Sequence, residues 1–167
     1  MNKTLLKRNT ILGILFFLPV TFLLFLYPAT HNYTPLDIVN TPVLDVNAFT
    51  SLSGQKVVLK DQITVLGFLG HYPKKNSTVA LNLKELIYDK FKGFKKFQIV
   101  IVMPKGSEAE AEALKKEISS YEDSRFWHFV FAEPHNVERI FLSLKSKTTL
   151  KPDLSLNHVF IIDKDLN

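Results

Sequence analysis

Five histidines, a lysine-bearing turn and a complete lack of cysteine define the chemistry open to this 167-residue chain. Without cysteine, thiol catalysis, disulfide exchange, Cys-ligated zinc and iron–sulfur clusters are excluded. His31, His71, His128, His135 and His158 form no i, i+4 pair and no HExxH motif. His71 stands in Gly70-His71-Tyr72-Pro73, directly after a long apolar run. A loop at the C-terminal end of a strand in an α/β sheet is a favoured ligand position. His71 is therefore a metal ligand, a polar contact to a partner, or an ordinary loop histidine. His71 and His158 are the candidate metal pair, although two imidazoles alone do not make a site. His128, beside Trp127 in an apolar run, reads as a packed and hydrogen-bonded residue, and His135 after Pro134 as a solvated turn residue.

Tyr72-Pro73-Lys74-Lys75 puts an aromatic ring and two cations on the same loop, which an acidic partner or anionic lipid could read. Lys90, Lys92, Lys95 and Lys96 straddle a helix end at Gly93, where cations complement the helix dipole. Phe91, Phe94 and Phe97 interleave with them and are expected to pack at the helix-to-strand junction. Ser119, Ser120 and Ser143 lack a nucleophile-elbow context. There is no glycine-rich phosphate loop and no pair of carboxylates on adjacent strand ends. No catalytic residue is assigned, no cofactor is expected, and a non-enzymatic role is favoured.

The elements that must position these residues follow from the hydrophobic pattern. Residues 63–70, 97–103, 126–132 and 158–162 are nearly continuous apolar runs of strand length, as expected for strands covered on both faces. Residues 57–59 read as a short edge strand. Val79, Leu83, Leu86, Ile87 and Phe91 share one face of a helix between the first two runs. Ser107-Glu108-Ala109-Glu110 predicts a capping box on the next helix, whose inner stripe is Ala113, Leu114, Ile118 and Tyr121. A third helix over residues 135–144 turns Val137, Ile140, Phe141 and Leu144 inward. Strands alternating with helices imply an α/β sheet, and this number of units makes a thioredoxin-like fold the natural candidate. That fold normally closes with a hairpin strand and a last helix. Both are missing after Asn167, so the native chain is expected to continue.

Residues 11–27 hold 17 positions without a charge. As a helix they span about 25 Å, and Leu5, Leu6, Lys7 and Arg8 can cover the shortfall to a core of roughly 30 Å. Pro19 should kink this transmembrane helix without forbidding it. A cleaved signal peptide is the competing reading, but the run is long and small residues do not fill both cleavage positions, so an uncleaved signal-anchor is favoured. Lys3, Lys7 and Arg8 precede it, whereas residues 28–55 carry no lysine or arginine. The positive-inside rule then sets the N-terminus in the cytoplasm and the remainder in the periplasm of a bacterium, anchored in the inner membrane. The expected organisation is a basic tail at 1–10, the membrane helix at 11–27, a linker leading into the domain at 28–55, and the folded domain at 56–167. Setting aside the three N-terminal cations lowers the net charge from +5 to +2, so the basic pI of about 9.3 is no argument for nucleic-acid binding.

The stretch ITVLGFLGHYPKKNSTVALNLKELIYDKF, together with the later FQIVIVMP and HVFIIDKD segments, resembles the Sco/SenC branch of the thioredoxin superfamily. The resemblance implies a membrane-anchored, extracytoplasmic protein that assists copper-site assembly in cytochrome oxidase, working with a protein partner. It also implies a Cys-Pro-x-x-x-Cys-like active loop. Its positions fall here on Tyr72, Pro73 and Asn76, so both cysteine ligands are replaced. The family's histidine ligand would lie about three residues before His158. Redox exchange is thereby lost, and a binding or assembly-support role remains.

Overall fold

A computed structural model describes residues 3–26, 42–120 and 123–167. The chain divides into two compact units, Met1–Asp37 and Ile38–Asn167.

The first unit contains helix α1, Lys3–Leu26. Within it Lys7–Phe25 is long and apolar enough to cross a membrane, and none of that stretch is buried against protein. Its apolar residues lie all around the helix, as in a span that meets hydrocarbon on every side. Pro19 lies inside the helix, and Thr21 Oγ1 donates back to Phe17 O at 2.7 Å.

The second unit is a five-stranded mixed sheet of order β1-β4-β3-β2-β5 between helical layers. Its strands are β1 Thr50–Ser51, β2 Ile63–Phe68, β3 Phe97–Pro104, β4 Trp127–Ala132 and β5 Phe160–Ile162. β2, β3 and β4 are parallel; β1 and β5 run antiparallel to them at the two edges. All eight positions of β3 are buried, which is why its sequence is an apolar run broken only by Gln98, whose amide is hydrogen-bonded. Helix α5, Pro134–Ser143, lays Val137, Ile140 and Phe141 against Leu66, Phe68, Val100, Val102 and Val130 on one face. Helices α2, Ser77–Leu83, and α4, Glu108–Ser119, cover Val65, Ile99, Ile101 and Phe129 on the other.

Three local expectations are corrected. Residues 57–59 are not a strand, although Val57 and Leu59 are buried. Side chains satisfy their backbone instead: Asp45 Oδ1 accepts from Leu59 N at 3.0 Å, and Gln98 Nε2 donates to Val58 O at 2.8 Å. Residues 42–55 lead into the domain, with Val43 and Val46 already in its core. The helix after β2 does not keep one face. A π turn, Lys84–Tyr88, separates α2 from the short α3, Asp89–Phe91, and its wider spacing carries the buried position from Leu83 to Tyr88. Leu86 and Phe91 are consequently exposed. The capping box does not form: Ser107 Oγ donates to Pro104 O at 2.6 Å, and Glu108 Oε2 accepts from Gly106 N. Tyr121 lies outside the described residues.

Candidate functional site

The site is built where β2 ends. Gly70 takes φ of +70°, a left-handed conformation in which glycine pays no steric penalty. The turn brings the following residues against the segment before β5. His71 N donates to Asp153 O at 2.9 Å, Leu69 bridges Ser155 in antiparallel fashion, and Leu156 N donates to Phe68 O at 2.9 Å. On the opposite side of the loop a 3₁₀ turn, Pro73–Asn76, leads into α2. Asn76 Nδ2 donates to Leu69 O at 3.0 Å and Lys75 N to Tyr72 O at 3.0 Å, so both ends of the loop are tied down. Pro73 is buried, while Tyr72 is half exposed with the Lys75 ammonium 4.6 Å from its ring centroid, a cation–π arrangement. Lys74 N is 3.4 Å from Glu110 Oε2 on α4.

Asp153 and Ser155 complete this arrangement and were not singled out in the sequence. The Asp153 carboxylate accepts from Ser155 N at 3.1 Å and from Ser155 Oγ at 2.7 Å. Burial pushes its pKa up, but these hydrogen bonds outweigh that and hold it below the ordinary carboxylate value. The Lys151-Pro152-Asp153 turn chemistry was the signal that could have marked the segment.

His71 is partly exposed beside Tyr72, their rings 6.4 Å apart. His158 is exposed and belongs to an irregular stretch, residues 157–159, between the Leu156–Phe68 bond and the start of β5. It therefore lies alongside β2 rather than beyond its end. Three residues upstream of it, in the register the resemblance implies for a histidine, stands Ser155, buried and committed to Asp153. Among the described residues no group of three or more His, Cys, Asp or Glu side chains converges to hold a metal. At the two cysteine positions the donors are a phenol and an amide. Neither has the softness that thiolates offer copper(I), and the amide is already engaged with Leu69. These residues do not fit copper in the manner the resemblance implies. His128 is partly buried on β4, His135 is exposed, and His31 lies outside the described residues.

A parallel β2-β3-β4 core, an antiparallel β5 and a loop-to-helix turn after β2 define a thioredoxin-like domain, here without a thiol. Comparison with solved structures gives the same fold. BsSco, a member of the Sco family of cytochrome c oxidase assembly proteins, superposes with a TM-score of 0.55 at 16% identity, over 78% of this chain and 81% of that one. A candidate protein disulfide isomerase from Bacteroides thetaiotaomicron gives 0.52 at 14% identity, over 77% and 74% of the respective chains. The copper-bound ScoI of Bradyrhizobium japonicum gives 0.49 at 18% identity, over 76% and 84%. No protein-family model and no curated protein sequence matches the chain.

Proposed function

We propose that this protein is a membrane-anchored, extracytoplasmic thioredoxin-like domain that binds a protein partner through loop 70–76 and supports assembly of a respiratory oxidase without thiol chemistry. The observation carrying this reading is the loop itself. Gly70, Asn76 and Asp153 hold it in a defined shape, yet Tyr72 and Asn76 occupy the two positions where the resemblance implies cysteines. The scaffold of a reactive loop persists around side chains suited to contact: a half-exposed tyrosine and two exposed lysines. An acidic or aromatic partner surface suits them. The N-terminal basic residues and the apolar helix support an anchor in the bacterial inner membrane, with the N-terminus cytoplasmic and the domain periplasmic. The oxidase connection rests on BsSco, of similar fold, being a member of a family of cytochrome c oxidase assembly proteins.

The test is deletion of the gene followed by measurement of assembled oxidase in the membranes, with complementation by the wild type and by Y72A/K75E. Loss of oxidase restored by the wild type but not by the loop variant is the expected result. Oxidase at normal levels in the deletion strain would reject the assembly role. Histidine-based copper handling is the second reading, favoured by the position of His71 on the same loop. Copper titration of the full chain in detergent, with H71A and H158A, decides it: stoichiometric binding lost in both variants would replace the contact reading by this one.

A further inference from the structure

We propose that the end of the sheet opposite loop 70–76 is a docking surface for an anionic lipid bilayer. This deepens the anchored reading above and rests on it for the presence of a membrane nearby. Phe91 and Phe94 were expected to pack, but they are 45% and 62% exposed. Their rings lie 6.0 Å apart, and Phe91 also touches the buried Phe97 at 5.8 Å, so the exposed pair is braced from below. Ile63, at the start of β2, is 41% exposed, and its N–H donates to Lys96 O at 2.7 Å, which sets it beside the same junction. Lys90, Lys95 and Lys96 are exposed around these apolar groups. Aromatic rings ringed by lysines are the composition of a surface that rests in the headgroup layer. The rings enter the acyl boundary, and the long lysine stems let the ammonium groups reach lipid phosphates.

The place of the patch in the fold agrees with this. Val43, where the described fold begins, donates its N–H to Leu166 O at 2.8 Å. Nearby, Asp61 N donates to Lys164 O at 3.0 Å, two residues before β2 starts beside Lys96. The fold is thus entered at the same end of the sheet as the Phe–Lys patch. Loop 70–76 lies at the other end of β2, about 20 Å away at the rise of a strand. The patch and loop 70–76 thus occupy opposite ends of the sheet, so a surface bound at one leaves Tyr72 open to a partner at the other. Charge complementarity selects anionic lipid: each lysine brought to such a surface is worth about a fivefold change in affinity.

Hydrogen–deuterium exchange of the full chain with nanodiscs tests this. Discs of phosphatidylcholine alone are compared with discs containing phosphatidylglycerol. Peptides covering residues 89–97 should exchange about tenfold more slowly in anionic discs only, and the protection should vanish in high salt and in K90E/K95E/K96E. These lysines are exposed, so the variant keeps its fold, which circular dichroism checks. Equal exchange in the two lipids, as expected if an acidic protein is the true occupant, would overturn the proposal. So would protection that survives the charge reversal. Fast exchange of residues 3–26 in both discs would instead reject the anchor, while the lipid-dependent difference at 89–97 still decides the docking surface.

Discussion

A side chain at Gly70 would place its Cβ 2.3 Å from the carbonyl oxygen of Asp153. That contact joins the loop after β2 to the segment before β5, and it leaves no room for any residue but glycine.

Substituting Gly70 should therefore cost more than a left-handed backbone alone explains. Gly54 provides the comparison: its φ is +71°, but nothing lies within 4 Å of a Cβ added there. G54A should lose about 1 kcal/mol from conformation. G70A adds a clash with backbone and should lose roughly 2–4 kcal/mol. Denaturant midpoints measured on the two variants give the comparison directly, and equal losses would mean that the Asp153 contact does not constrain the loop.

The π turn makes a second prediction. Leu83 is 6% exposed and Leu86 62% exposed, although both belong to the apolar stripe of a regular helix. L83A should cost about 2–5 kcal/mol, with cavity formation included. L86A should stay within about 0.5 kcal/mol, as surface substitutions do. Similar costs for the two would restore the regular helix and remove the π turn.

How far the fold could be read in advance depends on whether a residue's partners are local in pattern. The run at 97–103 announces a central strand because burial on both faces leaves no polar alternation, and β3 is buried at every position. The helical stripe misleads because a single wide turn leaves no mark on composition; only the full burial of Tyr88 beside the exposure of Leu86 and Phe91 reveals it. Val57 and Leu59 alternate as a strand would, yet the groups that satisfy that segment are the side chains of Asp45 and Gln98, distant in sequence. The same holds at the site. The loop itself was legible from the apolar strand that ends at Gly70, and its tyrosine and lysines from their types. The Asp153–Ser155 clamp was not, because its contact with Gly70 exists only once β5 has folded back beside β2.

Tyr88 supports a third prediction. Its hydroxyl donates to Asp123 O at 3.0 Å and lies 3.3 Å from Phe126 N, tying the π turn to the start of β4. Y88F keeps the ring against Trp127 and removes both bonds, at a cost of about 1–3 kcal/mol. Burial raises the phenol pKa above its ordinary value of 10. A raised folded-state value means that the unfolded chain gives up the proton first, so the Tyr88 contribution is complete below pH 10 and is lost as pH rises through the folded value. Urea midpoints followed into the alkaline range should converge for wild type and Y88F. A difference that stays constant there would separate the hydroxyl from the pH dependence.

His128 provides the complementary case on the acid side. It sits partly buried on β4, paired in register with Val100 of β3. Burial lowers its pKa below the ordinary 6.5, and the nearby positive charge of Lys115 lowers it further. The unfolded chain therefore takes up a proton on this residue at a higher pH than the folded chain does. The stabilisation is present above pH 6.5 and is lost as pH falls through the folded-state value, because the folded domain resists the charge that the unfolded chain accepts. Thermal unfolding of the wild type should show a midpoint that falls as pH drops below 6.5. H128Q retains a polar side chain of similar reach but cannot titrate, so its midpoint should fall less over the same interval. If the wild type and H128Q decline in parallel, the acid sensitivity belongs to the carboxylates and not to this histidine.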